Sequence, residues 1–479
     1  MPEETDRPHL PALRLGRAYE SLEKTDARDH RSGEPVAAVS QVNAGIIRRD
    51  VVRLEASRAA LKKFTCAQVI EMCRQAAEVF LNSTLPLGDK GHTPSPQQYV
   101  ETLSRTSGLP YTLVRRNMKR INTVLSQMGT ILRGLTRGLD LSILDNGFGE
   151  QGGSAVSYFA TTNSLGVIMP SNSPAVNSLW LPAIALKVPV VLKPGRDEPF
   201  TPWRLIHSFL AAGAPAEAFA FYPTDHEGAG EILRLCGRAQ LFGDKTTTDR
   251  YVRDPRIEIH GPGYSKILIG LDEIERWPQY LDLMVESIAQ NGGRSCLNAS
   301  AIIVPGHADE IADGLAERLG PVEPRPIEDE SAVLAGFANP KMAELINAAI
   351  DDGLQTSGAE EVTAKYRMGP RLVTLNGAVY LRPTIVRCSF AHPLAIREYL
   401  FPYASVLEVP QTKMVESIGS SLVVTAITRD ERLIEQLMES PHIDRLNIGP
   451  LSTMEVAWDQ PHEGNLFEFL YKRRAIQRV

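Results

Sequence analysis

SLGVIMPSNSPAVNSLWLPAIALKVPVVLKP, running from Ser164 to Pro194, decides the fold. LGVIM is a short apolar run closed by a proline, the pattern of a strand buried on both faces. PAVNSLWLPAIAL reads as a helix, and VPVVLKP as a second buried strand. Strand, helix and strand in so short a stretch make the βαβ unit of a parallel sheet. The alternation continues with PFTPWRLIHSFLAAG, a helix ending at Gly213, and with AFAFY, AQLFG and SKILIG as further strands. The expected fold class is α/β, with a doubly wound parallel sheet. Ligands on such sheets bind at the carboxyl ends of the strands.

Polar turns stand at those ends. Pro170-Ser171-Asn172-Ser173-Pro174 follows the first strand, Lys193-Pro194-Gly195-Arg196 the second, and Phe242-Gly243-Asp244-Lys245 the AQLFG strand. The usual GxGxxG dinucleotide fingerprint is missing. GPGYSK (261–266) has a proline between its glycines and precedes a strand instead of following one. Downstream, a helix near Tyr280–Gln290, the glycine-rich loop around Cys296 and the run ASAIIVP indicate a second α/β domain. SSLVVTAIT, DERLIEQLMES and RLNIGP add a last strand, helix and strand.

Upstream, DHRSGEPVAAVSQVN (29–43) reads as a hairpin arm turning at Ser32-Gly33, and Leu54–Leu81 as helical. Val114, Met118, Ile121, Leu125, Met128, Leu132 and Leu135 recur at steps of four and three, one apolar stripe along a long helix. The stripe is a core face or, in the sharper reading, a subunit contact. Arg115, Arg116, Lys119 and Arg120 fall on the other faces, where a solvated surface is expected and a phosphate site is the alternative. DNGFGEQGGSA (145–155) reads as a loop or linker. The expected boundaries are an arm at 1–53, a helical region at 54–145, a first α/β domain at 146–272, a second α/β domain at 273–414 and a returning C-terminal segment at 415–479.

The 479 residues are 43% hydrophobic and 23% charged, with a formal net charge of −6, which suits a multidomain globular protein and argues against a general nucleic-acid binder. No apolar run reaches the roughly 18 residues of a membrane span. MPEETDRPHLPALRLG carries no apolar signal core, so a cytoplasmic location is expected. Five scattered cysteines suit a reducing compartment, and none of the ten histidines has another at helical ligand spacing, so no metal site is expected.

Taken in order, GVIMPSNSP, VVLKPGRDEP, LFGDKTTTDR, HGPGYSKILI, NGGRSCLNAS, LRPTIV and REYLFPYASVLEV resemble the successive landmarks of the aldehyde dehydrogenase superfamily. ETLSRTSGLPYTLVRRNM is similar to the leading region of the acyl-CoA reductases that form fatty aldehyde in bioluminescent bacteria. The resemblance implies that Cys296 is the nucleophile, with Gly292 and Gly293 leaving room for its reactants. It implies that Asn172 donates its amide to the oxyanion together with the Cys296 N–H. Pro170, Ser171 and Gly261 would border the cofactor, and Lys193 would bind the adenine ribose. Gly243 and Asp244 would open a helix toward the pyrophosphate. Glu398 would bind the nicotinamide ribose, with Phe401 near the ring.

Two departures shape the functional expectation. The family's general-base glutamate is replaced by His260, so deacylation by water is expected to be slow and a thiol acceptor natural, with His260 itself as the alternative base. Arg196 stands where a glutamate often takes the ribose hydroxyls, which favours NADPH over NADH because a guanidinium attracts a 2′-phosphate. The expected activity is therefore reversible, NADP-dependent reduction of an acyl-CoA to an aldehyde, with coenzyme A as co-substrate. One alternative is a hydrolytic NAD(P)-dependent aldehyde dehydrogenase. The other is an inactive binding or assembly member of the superfamily. The resemblance also implies a homodimer or homotetramer, built on the hairpin arm and the terminal strand.

Overall fold

The computed structural model describes residues 7–477. The first six residues of the expected arm lie outside them. Two parallel sheets organise the chain. The parallel strands of the first are β1 (Leu165–Ile168), β2 (Val190–Lys193), β3 (Phe219–Phe221), β4 (Arg238–Phe242) and β5 (Ile257–His260). They lie in the order β5-β4-β1-β2-β3, and the antiparallel strands Ala12–Arg14 and Arg17–Tyr19 extend the β3 edge. β1 is thus flanked by β2 on one side and β4 on the other, where the winding reverses, and ligands on open α/β sheets sit at such a point. The strands are buried along nearly their whole length, as their Val, Leu, Ile and Phe content requires of a sheet covered on both faces.

The second sheet contains β6 (Lys266–Ile269), β7 (Ala301–Val304), β8 (Thr384–Cys388), β9 (Tyr403–Glu408), β10 (Ser421–Ile427) and β11 (Ile443–Ile448). Their order is β8-β9-β7-β6-β10-β11, with Ala359–Glu361 antiparallel on the β8 edge. SKILIG is therefore the β6 strand of the second sheet, between β7 and β10, and not a strand of the first. The chain crosses between the sheets in Gly261–Ser265, earlier than the expected boundary at 272.

Other expectations shift as well. Leu54–Leu81 is two helices, Leu54–Leu61 and Cys66–Asn82, because Thr65 caps the second through its side chain and Gln68 returns the bond. The striped helix divides into α1 (Tyr111–Ser126) and α2 (Met128–Leu135), with Gln127 leaving the helical region between them. Every residue of the stripe is buried in the main core of this chain, so it packs within the protomer. DNGFGEQGGSA is no linker. Phe148–Gln151 and Ser154–Ala160 form a hairpin about Gly152-Gly153, and Tyr471–Arg474 pairs with its second strand. The N-terminal hairpin pairs Pro35–Ser40 with Lys24–Arg28, so the expected turn at Ser32-Gly33 lies between its strands but its first strand precedes the expected stretch 29–43. Among the described residues no helix is long and apolar enough to cross a membrane.

Candidate active site

Cys296 sits in a tight loop between the helix Leu281–Ala289 and β7. Asn291, Gly292 and Gly293 all take positive φ there, and only glycine adopts that region freely. At Gly293 the need is steric too: a Cβ would lie 2.3 Å from the backbone of Phe401. Opposite the loop, a Cβ on Gly263 would lie 2.1 Å from the carbonyl oxygen of Cys296. The Ser265 hydroxyl donates to that same oxygen at 2.8 Å. The crossover between the sheets thus forms the floor under the cysteine.

Polar side chains fix the loop from the other side. Asn172, just past the end of β1, donates its amide to the Arg294 carbonyl at 3.0 Å. Its Oδ1 is buried and makes no hydrogen bond. Asn117 on α1 donates to Asn291 Oδ1 at 2.7 Å and accepts from the Ser173 hydroxyl at 2.9 Å. One buried amide therefore ties α1 to both the turn after β1 and the cysteine loop. Arg294 is buried, donates to the carbonyls of Ser107 and Gly336, and lies over the Phe337 ring. Cys296 itself is partly exposed, and the other cysteines are buried.

The cysteine opens on a solvent-connected cleft between α1, α2 and the chain end. Arg116, Asn117, Arg120 and Val124 of α1 and Ile131 and Leu135 of α2 form one wall. The chain end forms another, with Met454, Trp458, His462 and Glu463. Burial pushes the Cys296 thiol well above its ordinary 9.0, Glu463 and Glu398 add to that, and Arg120 opposes it. The resting thiol therefore keeps its proton at neutral pH and needs a base to become a nucleophile.

His260 terminates β5 but does not line the cleft. Its side chain is 2% exposed and lies 3.2 Å from a Glu258 oxygen and 2.7 Å from a Glu463 oxygen. The ring stacks on Phe242 at 4.5 Å. Burial alone would lower its pKa, but Glu463 and Glu258 outweigh that and raise it to about 10. His260 is thus a buried cation at neutral pH, which is at odds with the expected role of a free base. Glu463, reached from the far end of the chain, lines the cysteine's cleft together with Glu258, and of the two it is Glu463 whose charge acts on the thiol.

At the cofactor edge, Lys193 ends β2 partly buried, and burial lowers its pKa against the nearby Asp197. Arg196 beyond it is exposed. Neither cation forms an ion pair among the described residues, which fits a polyanionic dinucleotide lying across them. Glu198 is buried and bonded to Thr201, so it does not face Arg196 as a competitor. Other expected cofactor contacts are engaged elsewhere. Asp244 caps the four-residue helix Lys245–Thr248 by accepting from Thr247 at 2.9 Å, so a carboxylate already fills the terminus expected to take pyrophosphate. Glu398 accepts the N–H groups of Gly263 and Tyr264 at 3.2 and 2.6 Å, and burial raises its carboxyl to about 7. Phe401 is buried in the second domain's core beside Tyr399 and Tyr403, with its backbone against Gly293 of the cysteine loop. Pro170, Ser171 and Gly261 remain at the strand ends. Ser171 accepts the N–H of Asp197 at 3.2 Å, and so joins the turns after β1 and β2.

Glu463, His462 and Asn117 were not legible as site residues, and Arg120 was legible only as one of a cationic face with a phosphate site as its alternative. QPHEG (460–464), a His-Glu pair between proline and glycine, was the one sequence signal for the first two. One further group of ligand-type side chains, His9, Glu20 and Asp89, brings its atoms within 4.8 Å of one another, away from the cleft. Asp89, Ser40 and Lys24 already satisfy its members.

The profile described as the aldehyde dehydrogenase family matches residues 95–418. An aminoacetaldehyde dehydrogenase of Pseudomonas aeruginosa is 25% identical over 266 residues, covering 50% of this chain and 49% of the relative. A Staphylococcus haemolyticus protein bearing the family's name is 24% identical over 318 residues, covering 63% of this chain and 66% of its own length. The matches thus span between about half and two thirds of the curated relatives. The crystal structure of an NAD-dependent aldehyde dehydrogenase from Sinorhizobium meliloti superposes with a TM-score of 0.77 at 17% identity, covering 99% of this chain and 96% of that one.

Proposed function

This chain belongs to the aldehyde dehydrogenase family, and on that premise we propose that it oxidises an aldehyde to the corresponding acid, with a nicotinamide dinucleotide as hydride acceptor. The observation that carries the reading is the shared cleft: Cys296 and Glu463 line it together, and the buried His260 cation holds the carboxylate in place. The dehydrogenase names of the relatives support oxidation over thioester reduction.

Glu463 takes the thiol proton, and the Cys296 sulfur adds to the aldehyde carbonyl. The oxyanion that forms meets the Cys296 N–H and the amide of Asn172, which is already aimed at the loop. When bound, a nicotinamide dinucleotide would supply the hydride acceptor needed for oxidation of the adduct on Cys296 to a thioester. Lys193 and Arg196 hold its ribose and phosphate groups, and Arg196 favours NADP over NAD. Glu463 first releases the thiol's proton to solvent, then takes a proton from a water molecule whose oxygen attacks the thioester, and returns it to the Cys296 sulfur as the acid leaves. His260 is a positioning residue in this scheme.

A second reading is acyl transfer to coenzyme A, the oxidative direction of the acyl-CoA reductase reaction. The observation favouring it is that no carboxylate ends β5, where His260 is locked between Glu258 and Glu463. Product analysis separates the two. With aldehyde and NADP⁺ alone, the main reading expects free acid at a rate that coenzyme A does not raise. Formation of acyl-CoA only, with no acid in its absence, would reject hydrolysis. Absence of any oxidation across an aldehyde panel, with Cys296 inert to thiol reagents, would leave the non-catalytic alternative. Assembly into a dimer or tetramer is proposed as well, with the outer sheet of Phe148–Gln151, Ser154–Ala160 and Tyr471–Arg474 as the contact.

A further inference from the structure

The cationic face of α1 does more than meet solvent. Of its cations, Arg115 turns away to Glu330 at 2.5 Å and to Gln97. Arg116 and Arg120, one helical turn apart, both line the cleft that holds Cys296. Neither has an ion pair, hydrogen bond or aromatic partner among the described residues. Arg120 is the deeper, and a guanidinium removed from water without a counter-ion is costly unless something else neutralises it. The candidates in the chain are committed elsewhere. Glu463 and Glu258, the carboxylates that line the cleft, face His260, and Arg445 near Arg120 is a further cation, held by His462 and the Glu455 carbonyl. His462 accepts the Arg445 proton at Nδ1, so it adds no negative charge. The cation beside the nucleophile is left for a ligand.

We propose that the aldehyde oxidised here carries a carboxylate at its other end, and that Arg120 binds that carboxylate, with Arg116 at the mouth of the cleft adding attraction. A guanidinium presents a planar fork that a carboxylate matches with two hydrogen bonds. A singly charged tail also balances Arg120, the deeper of the two α1 arginines that line the cleft, without adding a second negative charge near Glu463. The apolar wall of Val124, Ile131 and Leu135 lies farther along α1 and α2, past the charged end. This substrate class rests on the aldehyde-oxidising reading, so its test must be able to fail independently.

The test is protection of Cys296 from iodoacetamide in the full-length protein, which requires no turnover. The probes are malonamate, succinamate and glutaramate, each with one carboxylate and one amide, against the matching uncharged diamides. At least one carboxylate probe should protect at a concentration tenfold or more below its diamide. Arg120→Met should abolish that difference, and Arg120→Lys should restore part of it. In parallel, kcat/KM for ω-carboxy aldehydes should exceed that for uncharged aldehydes of equal length, through KM, and the advantage should fall in Arg120→Met. Equal protection by acids and diamides would overturn the proposal. So would protection by the adenosine 3′,5′-bisphosphate part of coenzyme A with none by the carboxylates. If Arg120→Met slows alkylation but leaves the discrimination intact, Arg120 serves the thiol and the proposal fails. Protection by carboxylates with no aldehyde oxidation would sink the oxidising reading and leave the anion site standing.

Discussion

Replacing His260 with glutamine removes a cation that two carboxylates enclose. The imidazole is 2% exposed, and its pKa rises from the ordinary 6.5 to about 10. At about 1.36 kcal/mol per pH unit that rise corresponds to roughly 4 to 5 kcal/mol, close to the 3 to 5 kcal/mol lost when one member of a buried ion pair is removed. The sign follows from the raised pKa. The stabilisation is fully present below about pH 6.5, the unfolded value, and is lost as pH climbs through about 10, the folded value. His260→Gln should therefore be less stable than the wild type by roughly 3 to 5 kcal/mol near pH 7. The gap should close toward zero at about pH 10.5, where the wild type has also lost its charge. Guanidinium unfolding midpoints followed by tryptophan fluorescence across this range measure the difference. A gap that stays constant from neutral to alkaline pH would show that the ring is not a held cation and would remove the reason for assigning the base to Glu463.

Three further outcomes follow from the same geometry. Asn172→Ala should lower kcat by about 100-fold, the cost of about 3 kcal/mol for a missing oxyanion donor, with little change in the alkylation rate of Cys296. Gly263→Ala places a methyl 2.1 Å from the Cys296 carbonyl, so the cysteine loop must shift; activity should collapse, and hydrogen exchange should rise in Asn291–Asn298. Arg196→Glu should reverse the preference between NADP⁺ and NAD⁺ in kcat/KM, and an unchanged ratio would place the 2′-phosphate elsewhere.

What the sequence made legible was local and periodic. Buried strands such as LGVI and VVLK announce themselves by their composition, and the turns between them mark the ligand edge whatever fills it. Cys296 was visible because glycines precede it, and the structure uses Gly293 as a close-contact position. The differences arise where a group is claimed by another side chain, distant in sequence for His260 and close by for Phe401 and Asp244. His260 read as a free base until Glu463 arrived from the far end of the chain to bind it. Phe401 read as a nicotinamide neighbour, but Tyr399 and Tyr403 draw its ring into the core. Asp244 read as an opening toward pyrophosphate, yet it caps its own short helix. SKILIG looked like one more strand of the first sheet because a parallel strand carries no mark of which sheet it joins. Asn117 is a single polar residue in an amphipathic helix, and nothing in its spacing foretold that it would tie the turn after β1 to the cysteine loop.

The most direct test of the central claim is the intact mass of Glu463→Gln after mixing with a substrate aldehyde and NADP⁺. Cys296 should still add to the aldehyde, if more slowly, but water should not release the acyl group. The variant should therefore accumulate one acyl adduct on Cys296 while turnover drops by about 10²- to 10⁴-fold, the range for loss of a general base. Turnover at the wild-type rate with no adduct on the sulfur would contradict the account.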